Sequence, residues 1–441
     1  MENIKKLNAE LNVYLSVDEE GVSVQAEAAD KTIATGKFGL LCGIPCAIKD
    51  AIMVEGQKCT SASKILENYV APYDATVIKK LKEQGVVILG KANLDEFAMG
   101  GSGENSAYGV TKNPCDKTRV AGGSSSGSAA SVAAEMACFS LGSDTGGSIR
   151  LPSSFCGVTG LKPTYGSVSR YGLIAFGSSL DQIGPIAKTV EDAKIVFEAI
   201  CGKDKMDATS TDYEFENSVT NLKGLRIGVP KEYFVEGIDK DVEKIIRASI
   251  KKAEDAGAEI IEISLPSVEF ALACYYIIAP CEASANLARF DGIKYGLSAE
   301  GKDLLDVYLK SKGHGFGAEV KRRIMIGTYA LSSGYYDAYY KKAQEVRQFI
   351  KQDFAKAFEK VDLIFFPVSP VPAIKIGEKT DDPLSMYLMD IYTVSVNLAG
   401  LPGLSLPVGK VGNLPVGLQI IGNHFQENKI LSVAAQLEEK F

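Results

Sequence analysis

The chain alternates short apolar runs with longer amphipathic ones. Gly43 to Lys49, Val86 to Leu89, Leu225 to Val229, Ile260 to Leu265, Val361 to Phe366, Gly403 to Val408 and Val416 to Ile421 are short and mostly apolar, and predict strands. Val86 to Leu89 is apolar without a break, as in a sheet covered on both faces. Between them the period changes. Asp74 to Gln84 predicts a helix, with Asp74 as N-cap, Val77, Ile78 and Leu81 on one face and Gly85 beyond its end. Asn93 is placed to cap a short helix from Leu94 to Met99, and the Gly100-Gly101-Ser102-Gly103 loop that follows is an expected wall of the active site. Thr189-Val190-Glu191-Asp192 resembles a capping box before Ala193, Val196, Phe197 and Ile200. Asp239 to Ala256, closed by Gly257, and Glu427 to Lys440 predict two further helices. Residues 267–360 are mostly helical in pattern, and Cys201 to Lys223 is a polar surface excursion. Strand–helix alternation predicts an α/β fold: one large mixed sheet wrapped by helices. The expected organisation is a single domain over residues 1–441, with its core in about 37–200 and 361–441 and the helical section 267–360 as a lobe over the site. No internal repeat is present.

One stretch does not fit a packing role. Gly122-Gly123-Ser124-Ser125-Ser126-Gly127-Ser128 leads into the alanine-rich run 129–137, which predicts a helix. Gly142-Ser143-Asp144-Thr145-Gly146-Gly147-Ser148-Ile149-Arg150 follows it. Clustered glycines cost backbone entropy, so they need a geometric reason such as positive φ or close approach of amides to a ligand. A phosphate cradle is one reading, although neither Gly-Lys-Ser/Thr nor Gly-x-Gly-x-x-Gly spacing occurs here. A flexible linker is another. The third is a nucleophile, Ser148, with an oxyanion hole from the amides of Thr145, Gly146, Gly147 and Ser148. A serine needs a base. The chain has two histidines, His314 in Gly-His-Gly and His424 after Gly422-Asn423, and both read as loop residues. Lys49, ending an apolar strand, is the remaining base, with an ordinary edge lysine as the alternative. Alternation along that strand turns Asp50 away from Lys49.

Composition narrows the class. The 441 residues are 46% hydrophobic and 23% charged, with a net charge of −7, which argues against a broad nucleic-acid-binding face. Nine scattered cysteines, with Cys42 and Cys46 lacking a second pair at metal spacing, read as reduced thiols of a cytosolic protein. No uninterrupted apolar run is expected to reach the ~18 residues of a membrane span. Met1 to Lys6 does not read as a signal peptide.

Lys49, the Gly-Gly-Ser-Ser-Ser-Gly-Ser run and Asp-Thr-Gly-Gly-Ser-Ile-Arg together resemble the amidase signature family. The resemblance implies the amidase-signature fold and a Ser-cisSer-Lys triad: Ser148 as acyl-forming nucleophile, Ser124 as the bridging serine with the cis peptide, Lys49 as base. The spacing of the two serines, 148 − 124 = 24, agrees with it. Asn286 to Ile293, Glu319 to Ile324, Ser332 to Tyr340 and Asn397 to Gly403 resemble the branch that supplies the glutamine-hydrolysing A subunits of tRNA-dependent amidotransferases. Members of that branch usually have a longer N-terminal segment and C-terminal tail. The likeness implies that Arg323 grips the glutamine α-carboxylate, that Asp390 pairs with its α-ammonium and that the Tyr275 hydroxyl lines the pocket. Arg150 and Asp144 are expected to brace the loop. It further implies ammonia made for the amidation of Glu-tRNA(Gln) and no cofactor or metal on this chain. ATP and Mg belong to a partner B subunit, which also meets the tRNA, and a small C subunit braces a cytoplasmic heterotrimer without a membrane. Two other functions remain open at this point: a stand-alone amidase of the same fold, and a catalytically silent assembly scaffold.

Overall fold

Among the described residues, eleven strands form one sheet: β1 Tyr14–Val17, β2 Pro45–Lys49, β3 Val87–Ala92, β4 Phe139–Asp144, β5 Thr159–Lys162, β6 Gln182–Ala187, β7 Arg226–Pro230, β8 Glu259–Ile263, β9 Leu363–Pro367, β10 Gly403–Val411 and β11 Leu414–Ile421. The structure is a computed structural model and describes residues 1–213, 215–216, 220–234, 237–379 and 382–441. The spatial order is β1-β3-β2-β4-β6-β5-β10-β11-β9-β7-β8. β3, β2 and β4 are mutually parallel, as are β9, β7 and β8, and the pairs between β4 and β9 are antiparallel. The sheet is mixed, as the apolar runs predict. Both of its faces are covered, because successive residues of one strand enter different cores. Leu363 and Phe365 of β9 join Ile48, Ile88 and Phe197, whereas Ile364 and Phe366 join Phe97, Tyr275, Ile278 and Val396.

The capped helices form where their signals lie. The Thr189 side chain accepts from the Asp192 amide before Val190–Ile200, and Asp239 accepts from the amides of Asp241 and Val242 before Lys240–Asp255. Thr76–Glu83 and Glu427–Glu438 stand close to their predicted ranges. Among the described residues of 201–223 there is no helix or strand, only a bridge from Cys201 to Val168; residues 214 and 217–219 lie outside the description.

Other expectations are corrected. The short helix at 94–99 is a single 3-10 turn, Glu96–Ala98, with Phe97 and Ala98 at φ 50° and 60°. The alanine-rich helix begins earlier and stops earlier, at Ser126–Ala133, so the serine run forms its first turn. His314 lies in the last turn of helix Leu304–Gly315 rather than in a loop. Strands β1, β5 and β6 and helices Glu2–Leu11 and Glu19–Ala34 are further elements beyond those predicted. Pro266–Arg289 is by length and composition apolar enough to cross a membrane, although no run was expected to be. Half of its most apolar window is buried, in the core that contains Tyr275 and Ile278. It heads the helical section, with Leu304–Gly315, Ala318–Leu331 and Lys342–Phe358 after it.

Candidate active site

The parallel strands β2, β3 and β4 all end at one edge of the sheet. In open α/β sheets that is the edge where ligands bind. Lys49 is the last residue of β2, Asp95 follows β3, and the Gly146-Gly147-Ser148 loop follows β4. Lys49 is fully buried. Its Nζ donates to Ser124 Oγ at 2.7 Å, to Ser125 Oγ at 2.9 Å and to the Ser143 carbonyl at 3.3 Å. Burial drives its pKa down from 10.5 to about 7, against the opposing pull of the carboxylates of Asp95, Asp144 and Asp181. Asp50 does face away from it: its Oδ2 accepts from the amide and hydroxyl of Thr60, and Lys91 Nζ lies 3.7 Å from its Oδ1.

The Gly123–Ser124 peptide is cis, and Ser124 Oγ accepts from the lysine. The Ser125 amide donates to the Ser148 carbonyl at 3.1 Å and so holds the two serine loops together. Ser148 itself is 7% exposed. Two glycines must precede it. A Cβ on Gly146 would lie 2.6 Å from the Tyr275 ring, and Gly147 has φ 134°, with Thr393 Oγ1 where its Cβ would be.

Asp144 organises this loop. It accepts from the amides of Gly147 at 2.8 Å and Ile149 at 3.1 Å, from Asn397 Nδ2 at 2.8 Å and from Arg150 Nε and Nη2 at 3.1 and 3.0 Å. Arg150 is fully buried and reaches on to Gln419, Asn397 and the Thr393 carbonyl. The arginine holds the Asp144 carboxyl far below the usual range even against burial. Both residues brace the loop, as expected. One consequence corrects the oxyanion set: the Gly147 amide is committed to Asp144. The amides of Thr145, Gly146 and Ser148 have no acceptor among the described residues and are the ones free to serve an oxyanion.

A second group of side chains lies beside the nucleophile loop. Arg323, on helix Ala318–Leu331, is 3% exposed and donates Nε to Glu319 Oε1 one turn earlier at 2.8 Å. Its guanidinium carbon lies 5.2, 5.4 and 5.6 Å from the ring centres of Tyr276, Tyr387 and Phe176, a cage that fixes a planar cation. Glu319 also accepts from the Tyr387 hydroxyl at 2.8 Å. Asp390 accepts from the Tyr276 hydroxyl at 2.8 Å, and burial raises its pKa to about 7 while Tyr276 and Arg323 oppose the rise. A cavity of about 100 Å³ opens here between Gly100–Ser102 and Tyr276, Arg323 and Tyr387. Clefts of about 830 and 980 Å³ lie elsewhere and contain no residue of this site. Among the described residues no cluster of three or more His, Cys, Asp or Glu could hold a metal, and all nine cysteines are free thiols.

The amidase family model matches residues 1–431. The chain belongs to the amidase signature family. It is 59% identical to the A subunit of a glutamyl-tRNA(Gln) amidotransferase from Thermoanaerobacter pseudethanolicus, over 100% of this chain and 91% of that one. The counterpart from Thermodesulfovibrio yellowstonii is 57% identical over 99% and 91%. The crystal structure of the Thermotoga maritima A subunit superposes with a TM-score of 0.82 at 45% identity, covering 98% of this chain and 88% of that one.

Within this amidase-signature scaffold, the structure adds residues that pattern reading passed over. Ser125 is the second acceptor of Lys49, Tyr276 rather than Tyr275 bonds Asp390, and Thr393 Oγ1 donates to the Gly146 carbonyl at 2.5 Å. Tyr275 instead lays its ring and hydroxyl against Gly146. Asp95 is fully buried. It accepts from the amides of Gly103 at 2.9 Å and Asn105 at 3.0 Å, and burial lifts its pKa to about 6. Only Ser125, within the serine run, carried a local signal.

Proposed function

We propose that this chain is the glutamine amidohydrolase component of a cytoplasmic, tRNA-dependent amidotransferase, and that Lys49, Ser124 and Ser148 are its catalytic residues. The observation that carries the reading is the fully buried Lys49 Nζ at 2.7 Å from Ser124 Oγ, in a chain whose high-identity relatives are A subunits of glutamyl-tRNA(Gln) amidotransferases. Neutral Lys49 takes the Ser124 hydroxyl proton as Ser124 takes that of Ser148. The Ser148 Oγ attacks the side-chain carbonyl carbon of glutamine. The amides of Gly146, Thr145 and Ser148 hold the oxyanion. The same relay returns the proton to the leaving nitrogen, ammonia departs, and water attacks the acyl-serine to release glutamate. Arg323 holds the α-carboxylate of glutamine, and Asp390 its α-ammonium, with Tyr275 closing the pocket at Gly146. Two buried opposite charges side by side suit an amino acid and would be poor lining for a stand-alone amidase with apolar substrates. The ammonia passes to the B subunit, which uses ATP and Mg to activate Glu-tRNA(Gln), while a small C subunit braces the assembly. This chain needs no cofactor for its own step, and the tRNA meets another component of the complex, which suits a chain of net charge −7. Replacing Ser148 by alanine tests the division of labour. Glutamine-dependent transamidation by the complex is expected to vanish and ammonia-dependent transamidation to persist; equal loss with both nitrogen donors would refute it.

A further inference from the structure

Glu96 touches none of the groups assigned above, yet it is 2% exposed and spends its carboxylate on a junction. Its Oε2 accepts from the Gly317 amide at 2.8 Å, and its Oε1 is bonded to the Ser63 hydroxyl, which also lies 3.2 Å from the Gly315 carbonyl. Gly317 is the residue before helix Ala318–Leu331, the helix that carries Glu319 and Arg323. At 1.5 Å per residue, Arg323 lies about 9 Å along that helix from Gly317. The contact admits no side chain on the far partner: a Cβ on Gly317 would overlap Glu96 Oε2. Phe316 and Phe97 pack edge to face beside it, 5.7 Å apart. The preceding residue, Asp95, donates its amide to the Ser124 carbonyl at 3.2 Å. The dipeptide Asp95-Glu96 therefore joins the serine relay through its backbone and the lobe helix through a side chain.

We propose that Glu96 is a positioning residue for glutamine recognition. It receives a free amide at the start of the Arg323 helix and so sets the height of the guanidinium over the nucleophile loop. A side-chain oxygen is suited to this place, because the first-turn amides of a helix have no intrahelical acceptor. The proposal rests on the glutamine reading given above, since it assigns Arg323 to the α-carboxylate.

The experiment is steady-state glutamine hydrolysis by the chain in its assembled complex. Glu96→Ala leaves the Gly317 amide buried without an acceptor. KM for glutamine is expected to rise up to about tenfold, the factor carried by one hydrogen bond. kcat should stay within about twofold, because the relay is not touched. Glu96→Gln is expected to restore the parent KM. Its amide oxygen accepts from Gly317, its NH2 donates to Ser63 Oγ, and the serine proton turns to the Gly315 carbonyl. On an Arg323→Ala background Glu96→Ala should add less than about twofold to KM, since its effect runs through that arginine. An unchanged KM in folded Glu96→Ala overturns the proposal, as does a fall in kcat alone, or full additivity with Arg323→Ala. If Glu96→Ala does not fold, Gly317→Ala perturbs the same contact from the other side. It is expected to raise KM alone, and a parental KM there overturns the proposal as well. Absence of glutamine turnover in the unaltered complex is a different result: it sinks the functional reading before any variant is compared.

Discussion

The charge on Lys49 is the variable on which the proposed chemistry depends. Burial lowers its pKa from 10.5 to about 7. A drop of that size corresponds to about 5 kcal/mol between the two protonation states. At pH 7 about half of the molecules carry the neutral amine, at pH 8 about nine in ten and at pH 6 about one in ten. The neutral form is the base, so activity is lost as pH falls through about 7 and is full above it. The log of kcat should fall with unit slope below about pH 6 and level off above about pH 8, whereas that of kcat/KM for glutamine should approach a slope of two, because a second group titrates beside Lys49. Asp390, with a pKa raised to about 7, titrates in the same range and in the same direction, because its carboxylate is needed for the α-ammonium. The two separate in kcat. Bound substrate holds Asp390 ionised, so the limb that survives at saturating glutamine, and in Asp390→Asn, belongs to Lys49. Lys49→Arg should be as inactive as Lys49→Ala, since a guanidinium does not give up its proton. A kcat that stays flat down to pH 5, or substantial hydrolysis by Lys49→Arg, would refute the base assignment and leave Lys49 a structural donor to Ser124 and Ser125.

Arg323→Ala should raise KM for glutamine roughly thirty- to hundredfold while kcat changes little, because charge-assisted contacts to the carboxylate are made in ground and transition states alike; steady-state kinetics would show an unchanged KM if the arginine lay outside the pocket. Asp95→Asn removes the carboxylate that most opposes the fall in the Lys49 pKa. With that charge gone the ammonium is less favoured, the pKa falls further, and the acid limb of kcat should move to lower pH; a limb that stays in place would mean that Asp95 acts through its hydrogen bonds to Gly103 and Asn105 alone.

What the sequence determined by itself was local or carried by motif. Thr189 and Asp239 cap helices because a short polar side chain can reach an amide two or three residues on, with no help from the rest of the chain. Most of the apolar runs became strands buried on both faces, the edge strand Glu259–Ile263 excepted, and strand alternation alone sent Asp50 away from Lys49. The two serine loops and the lysine were legible through the family motif they share, since the residues alone left a phosphate cradle, a linker and an ordinary edge lysine open. Tertiary structure decided the rest. Lys49 meets Ser124 across 75 positions, and Glu96 meets Gly317 across 221. Such contacts depend on which strands end at the same sheet edge and which helix crosses them, and no periodicity encodes that. The Gly147 amide was available on paper and is taken in the fold by Asp144, three residues away. Phe97 and Ala98 adopt positive φ inside what read as a short helix, because the segment must turn between the serine relay and the lobe. Pro266–Arg289 has the composition of a membrane span and is instead partly buried in the core beside the nucleophile loop. Apolar composition specifies removal from water, and only the packing of the neighbouring elements specifies into what.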